Sequence, residues 1–168
     1  MNNLVLIGMP SSGKSTAGVL LAKKIGYSFV DCDLLIQGRE NALLSEIIEQ
    51  KGAEGFLAIE EEVNASLQAD RCVIATGGSV IYCPRAMEHL KKIGKVVYLR
   101  LSEGEVERRV GDFHKRGVVM RGDVRSLKEL YRERAPLYQL YADECVDCDG
   151  QTIDDTVHEL MKIAKKAE

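Results

Sequence analysis

The sequence predicts an α/β fold, a parallel sheet covered by helices on both faces. Two observations carry this. First, a short apolar run, Leu4-Val5-Leu6-Ile7, enters Gly8-Met-Pro-Ser-Ser-Gly-Lys-Ser15, and a helical pattern follows. The G-x-x-x-x-G-K-[ST] spacing in a strand–loop–helix context is that of a phosphate-binding loop. Second, further apolar runs alternate with helical patterns, and strands separated by helices pair in parallel. Strands are expected at 4–7, 28–31, 72–75, 96–100 and 144–147. Helices are expected at 14–25, 42–51, 53–69, 84–92, 103–111, 123–141 and 153–166. Gly26, Gly52, Gly94 and Gly150 fall where these elements end, as turn and cap glycines do. No repeat, linker or low-complexity stretch divides the 168 residues, which suit one domain, 1–168.

The first strand, loop and helix define a nucleotide site. Gly8 and Gly13 let the backbone curl so that the N–H groups around Ser11, Ser12 and Thr16 face phosphate oxygens. Lys14 brings a positive charge to the β- and γ-phosphates, and Ser15 offers a hydroxyl to Mg²⁺. The helix that begins near Lys14 aims its positive end at the same anion. The second strand ends in Phe29-Val30-Asp31-Cys32-Asp33. A strand of a parallel sheet delivers its C-terminal end to the ligand side, and period two puts Asp31 and Asp33 on one side of it. One carboxylate suits Mg²⁺ through water. The other suits an acceptor hydroxyl and its proton. An N-cap role for Asp33 competes, because Leu34-Leu35-Ile36 follows.

A helical pair at 42–51 and 53–69 follows the second strand, and Glu60, Glu61 and Glu62 read as a solvated face. After the third strand, Ala75-Thr76-Gly77-Gly78-Ser79 has the paired glycines that permit close backbone approach to a ligand. Residues 111–122 are polar, basic and punctuated by glycine, the composition of a mobile lid. Within them Arg116 is the candidate to reach the transferred phosphate. In the helical pattern at 123–141 Arg134 is the candidate to meet an anion, and Pro136 predicts a kink.

Net charge is −3, which argues against nucleic acid as a partner. Ten of the 23 Lys and Arg nevertheless lie between Arg100 and Arg134, as suits a region closing over phosphates. No apolar stretch approaches a membrane span, and no signal segment is visible, so a cytoplasmic protein is expected. Cys32, Cys72, Cys83, Cys145 and Cys148 read as reduced thiols. Cys145-x-x-Cys148 leaves a redox or zinc pair open. His89, His114 and His158 have no partners at metal spacing and read as surface residues. Tyr82, Tyr98 and Tyr131 read as core or core-edge residues. No long apolar stripe calls for a dimer, so a monomer is expected.

Taken in order, these motifs resemble the shikimate kinase family over nearly the whole chain. The matching pieces are Gly8–Ser15, Phe29–Asp33, Thr76-Gly-Gly78, Val96-Val-Tyr-Leu99, Arg109 with Arg116, and Glu133-Arg-Ala-Pro-Leu-Tyr138. Ala142-Asp143 and Val146-Asp147 continue the match. The resemblance implies a three-layer P-loop NTPase fold with a five-stranded parallel sheet of order 2-3-1-4-5. An acceptor-binding insertion would span about 33–69 and a lid about 111–122. It implies ATP and Mg²⁺, with phosphoryl transfer to a hydroxyl of a small metabolite, shikimate by the family name. Lys14 would then bind the β/γ-phosphates, Ser15 the Mg²⁺, and Asp31 would stand behind the metal. Asp33 would hold the acceptor hydroxyl, Gly77 and Gly78 would line its site, and Arg134 would pair with its carboxylate. Arg109 would flank the adenine, and Arg116 would be the lid arginine.

Three departures stand out. The family's Phe-Arg-x-x-Glu is Phe56-Leu57-Ala58-Ile59-Glu60 here, so a second carboxylate-binding arginine is replaced by Leu57. Arg39 is a candidate substitute. The third glycine of its Gly-Gly-Gly is Ser79, and the lid's Arg-Pro-Leu-Leu is Arg116-Gly117-Val118-Val119. Leu57 leaves open a different small alcohol as acceptor, and a nucleotide-binding module without catalysis is the alternative of another class.

Overall fold

The computed structural model describes residues 2–111, 117–122 and 124–167. Its five strands are β1 (Asn3–Ile7), β2 (Ser28–Asp31), β3 (Cys72–Ala75), β4 (Gly94–Arg100) and β5 (Glu144–Asp147). Its helices are α1 (Lys14–Ile25), α2 (Cys32–Glu40), α3 (Leu44–Ala65), α4 (Pro84–Ile93), α5 (Glu103–Val110), α6 (Leu127–Tyr141) and α7 (Ile153–Ala167). The strands form one sheet in the order β2-β3-β1-β4-β5, with every neighbouring pair parallel.

The crossovers explain the layers. The chain moves one way across the sheet from β1 to β2 and the other way from β2 through β5. Right-handed connections then put α1 on one face and the helices of the return path on the other. In keeping with this, α1 packs against α7, while α3 packs against α4 and α6 lies on β4. The inner strands β1 and β3 are buried along their whole length, which is why they read as unbroken apolar runs. The edge strands β2 and β5 are only partly buried. A smaller apolar cluster of Ile36, Ile47, Phe56, Ile59 and Val119 sits apart from the main core and holds the insertion together.

Several elements differ from expectation. Helix α2 was not expected. It starts directly after β2, so Asp31 is the last strand residue and Asp33 lies in the first helical turn. The period-two argument therefore does not apply to this pair, and the N-cap is Asp31, not Asp33. Asp31 Oδ1 accepts from the N–H groups of Asp33 (3.0 Å) and Leu34 (3.4 Å). The insertion does hold the two expected helices: α3 consists of two helical segments that meet in a kink at Gly52, whose φ of 71° and ψ of 176° are not helical. Helix α6 starts at Leu127 behind Ser126, whose hydroxyl accepts from the Glu129 N–H. It continues past Pro136 as one helix.

Candidate active site

The loop between β1 and α1 wraps around the Lys14 ammonium. Lys14 Nζ donates to the carbonyls of Gly8 (2.8 Å) and Met9 (2.9 Å) and approaches Ser12 Oγ (3.3 Å). Burial pulls the Lys14 pKa down to about 8, against the attraction of Asp33. Helix α1 has no side-chain cap at its start, so the N–H groups of its first turn are left for a ligand. Gly8 must be glycine: a Cβ there would stand 2.7 Å from the Leu99 carbonyl oxygen.

Beside the loop lies a cavity of about 390 Å³. Ser11, Gly13, Lys14, Ser15 and Thr16 form one wall, and Asp33, Thr76, Gly77, Gly78, Ser79 and Arg134 form others. Leu44, Phe56 and Gly117–Val119 complete the lining. Residues from six separate parts of the chain thus converge on one space. Gly8 and Ser12 lie in the loop beneath it. Asp31 is held behind it, where its Oδ2 accepts from Ser15 Oγ (2.6 Å). Asp31 therefore serves two partners at once, α2 through one oxygen and Ser15 through the other. Among the described residues no group of three His, Cys, Asp or Glu side chains could hold a metal by itself. A Ser15–Asp31 pair suits Mg²⁺, which keeps waters and phosphate oxygens as its other ligands.

Asp33 projects into the cavity, and burial raises its carboxyl to about 6, opposed by Lys14. Arg134 is 1% exposed. Its Nη2 donates to the Val119 carbonyl (2.6 Å), and its Nε has no hydrogen-bond partner. The guanidinium also lies over the Tyr82 ring at 5.3 Å. The Gly77-Gly78 turn is pinned at both ends. Thr76 gives both N–H (3.2 Å) and hydroxyl (2.9 Å) to the Leu6 carbonyl, and the Tyr138 hydroxyl donates to the Gly78 carbonyl. Tyr138 is itself stacked on Tyr98 at 5.2 Å.

Glu60 belongs to this group and was missed. It is fully buried, not solvated, and its Oε2 accepts from the Ser79 hydroxyl at 2.5 Å. Burial raises it to about 7. Only Glu62 of the three glutamates is exposed, and it pairs with Arg39 at 2.8 Å. Arg39 makes this pair in solvent and is not among the residues that line the cavity. Leu57 is half-buried, packs against both apolar clusters and does not line the cavity.

Arg109 lies on α5, where its Nε donates to Glu105, outside the cavity wall. Arg116 and His114 lie outside the described residues. His89 is half-buried and contacts the Leu67 carbonyl (2.7 Å), whereas His158 is exposed. Cys145 is exposed, Cys148 is buried, and both are free thiols.

The comparisons with known proteins agree with this geometry. The family model described as shikimate kinase matches residues 10–165. A shikimate kinase of Thermodesulfovibrio yellowstonii is 37% identical over 164 residues, 96% of this chain and 94% of that one. The solved structure of a shikimate kinase from Acinetobacter baumannii in complex with shikimate superimposes with a TM-score of 0.86 at 27% identity, covering 100% of this chain and 95% of that one. A shikimate kinase from Aquifex aeolicus gives 0.80 at 29% identity, covering 98% and 96%. With the phosphate loop, the buried arginine and this similarity over the full length in hand, the chain belongs to the shikimate kinase family, ATP- and Mg²⁺-dependent phosphotransferases that act on a hydroxyl group.

Proposed function

We propose that the chain transfers the γ-phosphoryl group of ATP to shikimate, giving shikimate 3-phosphate. The observation that carries the choice of acceptor is Arg134. It is a buried guanidinium in the cavity wall, with Nη1 beside Gly78 of the glycine turn. No carboxylate among the described residues forms an ion pair with it, and a ligand carboxylate in the cavity supplies that charge partner. The same cavity holds Asp33, so it offers an anion site and a hydroxyl site together. This is the pattern of a hydroxylated carboxylic acid.

When bound with ATP, Mg²⁺ supplies charge neutralisation between the β- and γ-phosphates. Ser15 would hold it, with Asp31 fixing the hydroxyl. Gly8, Ser11, Ser12, Gly13 and Thr16 belong to the phosphate cradle with Lys14. Asp33, with a pKa of about 6, is mainly a carboxylate at neutral pH and accepts the proton of the acceptor hydroxyl. Gly77 and Gly78 line the acceptor site. The reading includes Arg109 beside the adenine, Arg116 at the transferred phosphate and a lid at 111–122 that excludes water. It also includes a single domain with its acceptor insertion at about 33–69, a monomeric state and a cytoplasmic location.

A coupled ADP-release assay with Mg-ATP and a panel of hydroxy acids and polyols tests this. Turnover on shikimate is expected. Silence on shikimate with turnover on a neutral polyol would overturn the acceptor. With Leu57 apolar, Arg134 is the one arginine among the described lining residues.

A further inference from the structure

We propose that Ser79 is a positioning residue of the acceptor subsite. Its hydroxyl holds the Glu60 carboxyl so that Glu60 Oε1 and Asp33 Oδ1 stand together over Gly77. The proposal rests on the acceptor reading above and adds a residue to it. Three observations carry it. A Cβ built on Gly77 would collide with Glu60 Oε1 and would stand 2.8 Å from Asp33 Oδ1, so the two carboxyl groups converge on one point. Ser79 is the one donor to the Glu60 carboxyl among the described residues, while Oε1 has no hydrogen-bond partner. Ser79 also lines the cavity that Asp33 enters, and Glu60 does not, so Glu60 reaches the acceptor only through its neighbours.

The physical consequence follows from burial. A carboxyl that is 0% exposed cannot find a replacement donor in solvent. Without the Ser79 hydroxyl it is free to turn about its last torsion, toward or away from Asp33. The charged groups that face it are Asp33 from α2, Arg134 from α6 and Lys14 from α1. Of these, Asp33 is the like charge and lies nearest the shared point. A displaced Glu60 thus moves the carboxylate that receives the acceptor hydroxyl, and leaves the nucleotide loop alone.

Steady-state kinetics of Ser79→Ala test this. The expected result is about a tenfold fall in kcat/KM for shikimate, the loss of one hydrogen bond to a charged group, with the KM for ATP unchanged. In a Glu60→Gln background, where no charge is left to repel Asp33, the same substitution should cost about twofold or less. Equal losses in both backgrounds, or no loss at all, would overturn the proposal. If the wild-type enzyme is silent on shikimate, the acceptor reading fails and a second measurement decides this one. The ¹³C carboxyl resonance of Glu60 should titrate at higher pH in folded Ser79→Ala than in wild type, because the hydroxyl favours the charged form. An unmoved midpoint overturns it.

Discussion

Glu60, Glu61 and Glu62 are adjacent in sequence and end in three environments. Glu60 is buried against Ser79, Glu61 accepts from the Arg85 N–H, and Glu62 meets Arg39 in solvent. Composition cannot separate them, because which side of α3 faces the sheet depends on how the helix docks. The Glu60 environment has a measurable consequence. Its pKa rises from 4.5 to about 7 through burial, so the folded state holds this proton more tightly than the unfolded chain. The contribution to stability is full below pH 4.5 and is lost as pH rises through 7. Glu60→Gln does not titrate. Its stability relative to wild type should therefore increase by roughly 3 kcal/mol between pH 4 and pH 8, as read from urea unfolding at both ends. A constant difference would contradict the burial argument. Other residues were legible because the motif fixes their atoms locally: Lys14, Ser15 and the glycines of the loop act within one turn of backbone.

At the scale of elements, the inner strands were legible and α2 was not. The reason lies in which residues α2 buries. Cys32 and Ile36 face inward, whereas Leu34 and Leu35, the residues that look apolar, are 63% and 41% exposed. The start of α6 did carry a signal, Ser126-Leu-Lys-Glu129, the spacing of a helix N-terminus. Helix α3 shows how one backbone position sets an element. Gly52, at φ 71° and ψ 176°, occupies a region that only glycine populates, and no atom lies near its missing Cβ. Gly52→Ala should therefore cost about 1–3 kcal/mol through backbone strain alone. The urea midpoint reports this, and an unchanged midpoint would mean that the break relaxes.

For the whole molecule, the cavity is the meeting point of distant stretches, and ligands that bridge them should stabilise the fold. A ligand at 100 times its Kd adds about 2.7 kcal/mol. Mg-ADP and shikimate are each expected to raise Tm. Lys14→Ala should lose the nucleotide shift and keep the acceptor shift, and Arg134→Gln should do the reverse. Loss of both shifts in either variant would show that the two subsites are not separable.

The sequence by itself determined the strands of the sheet, the phosphate loop and the Gly77-Gly78 turn. These are set by hydrophobic period and by short-range backbone geometry, which a linear pattern records. Tertiary structure alone decided that Asp31 caps α2 while holding Ser15, that Arg39 is spent on Glu62, and that Ser79 meets Glu60 across 19 residues. Each of those outcomes depends on which helix face docks and on what burial does to a charge, and neither is written in local spacing.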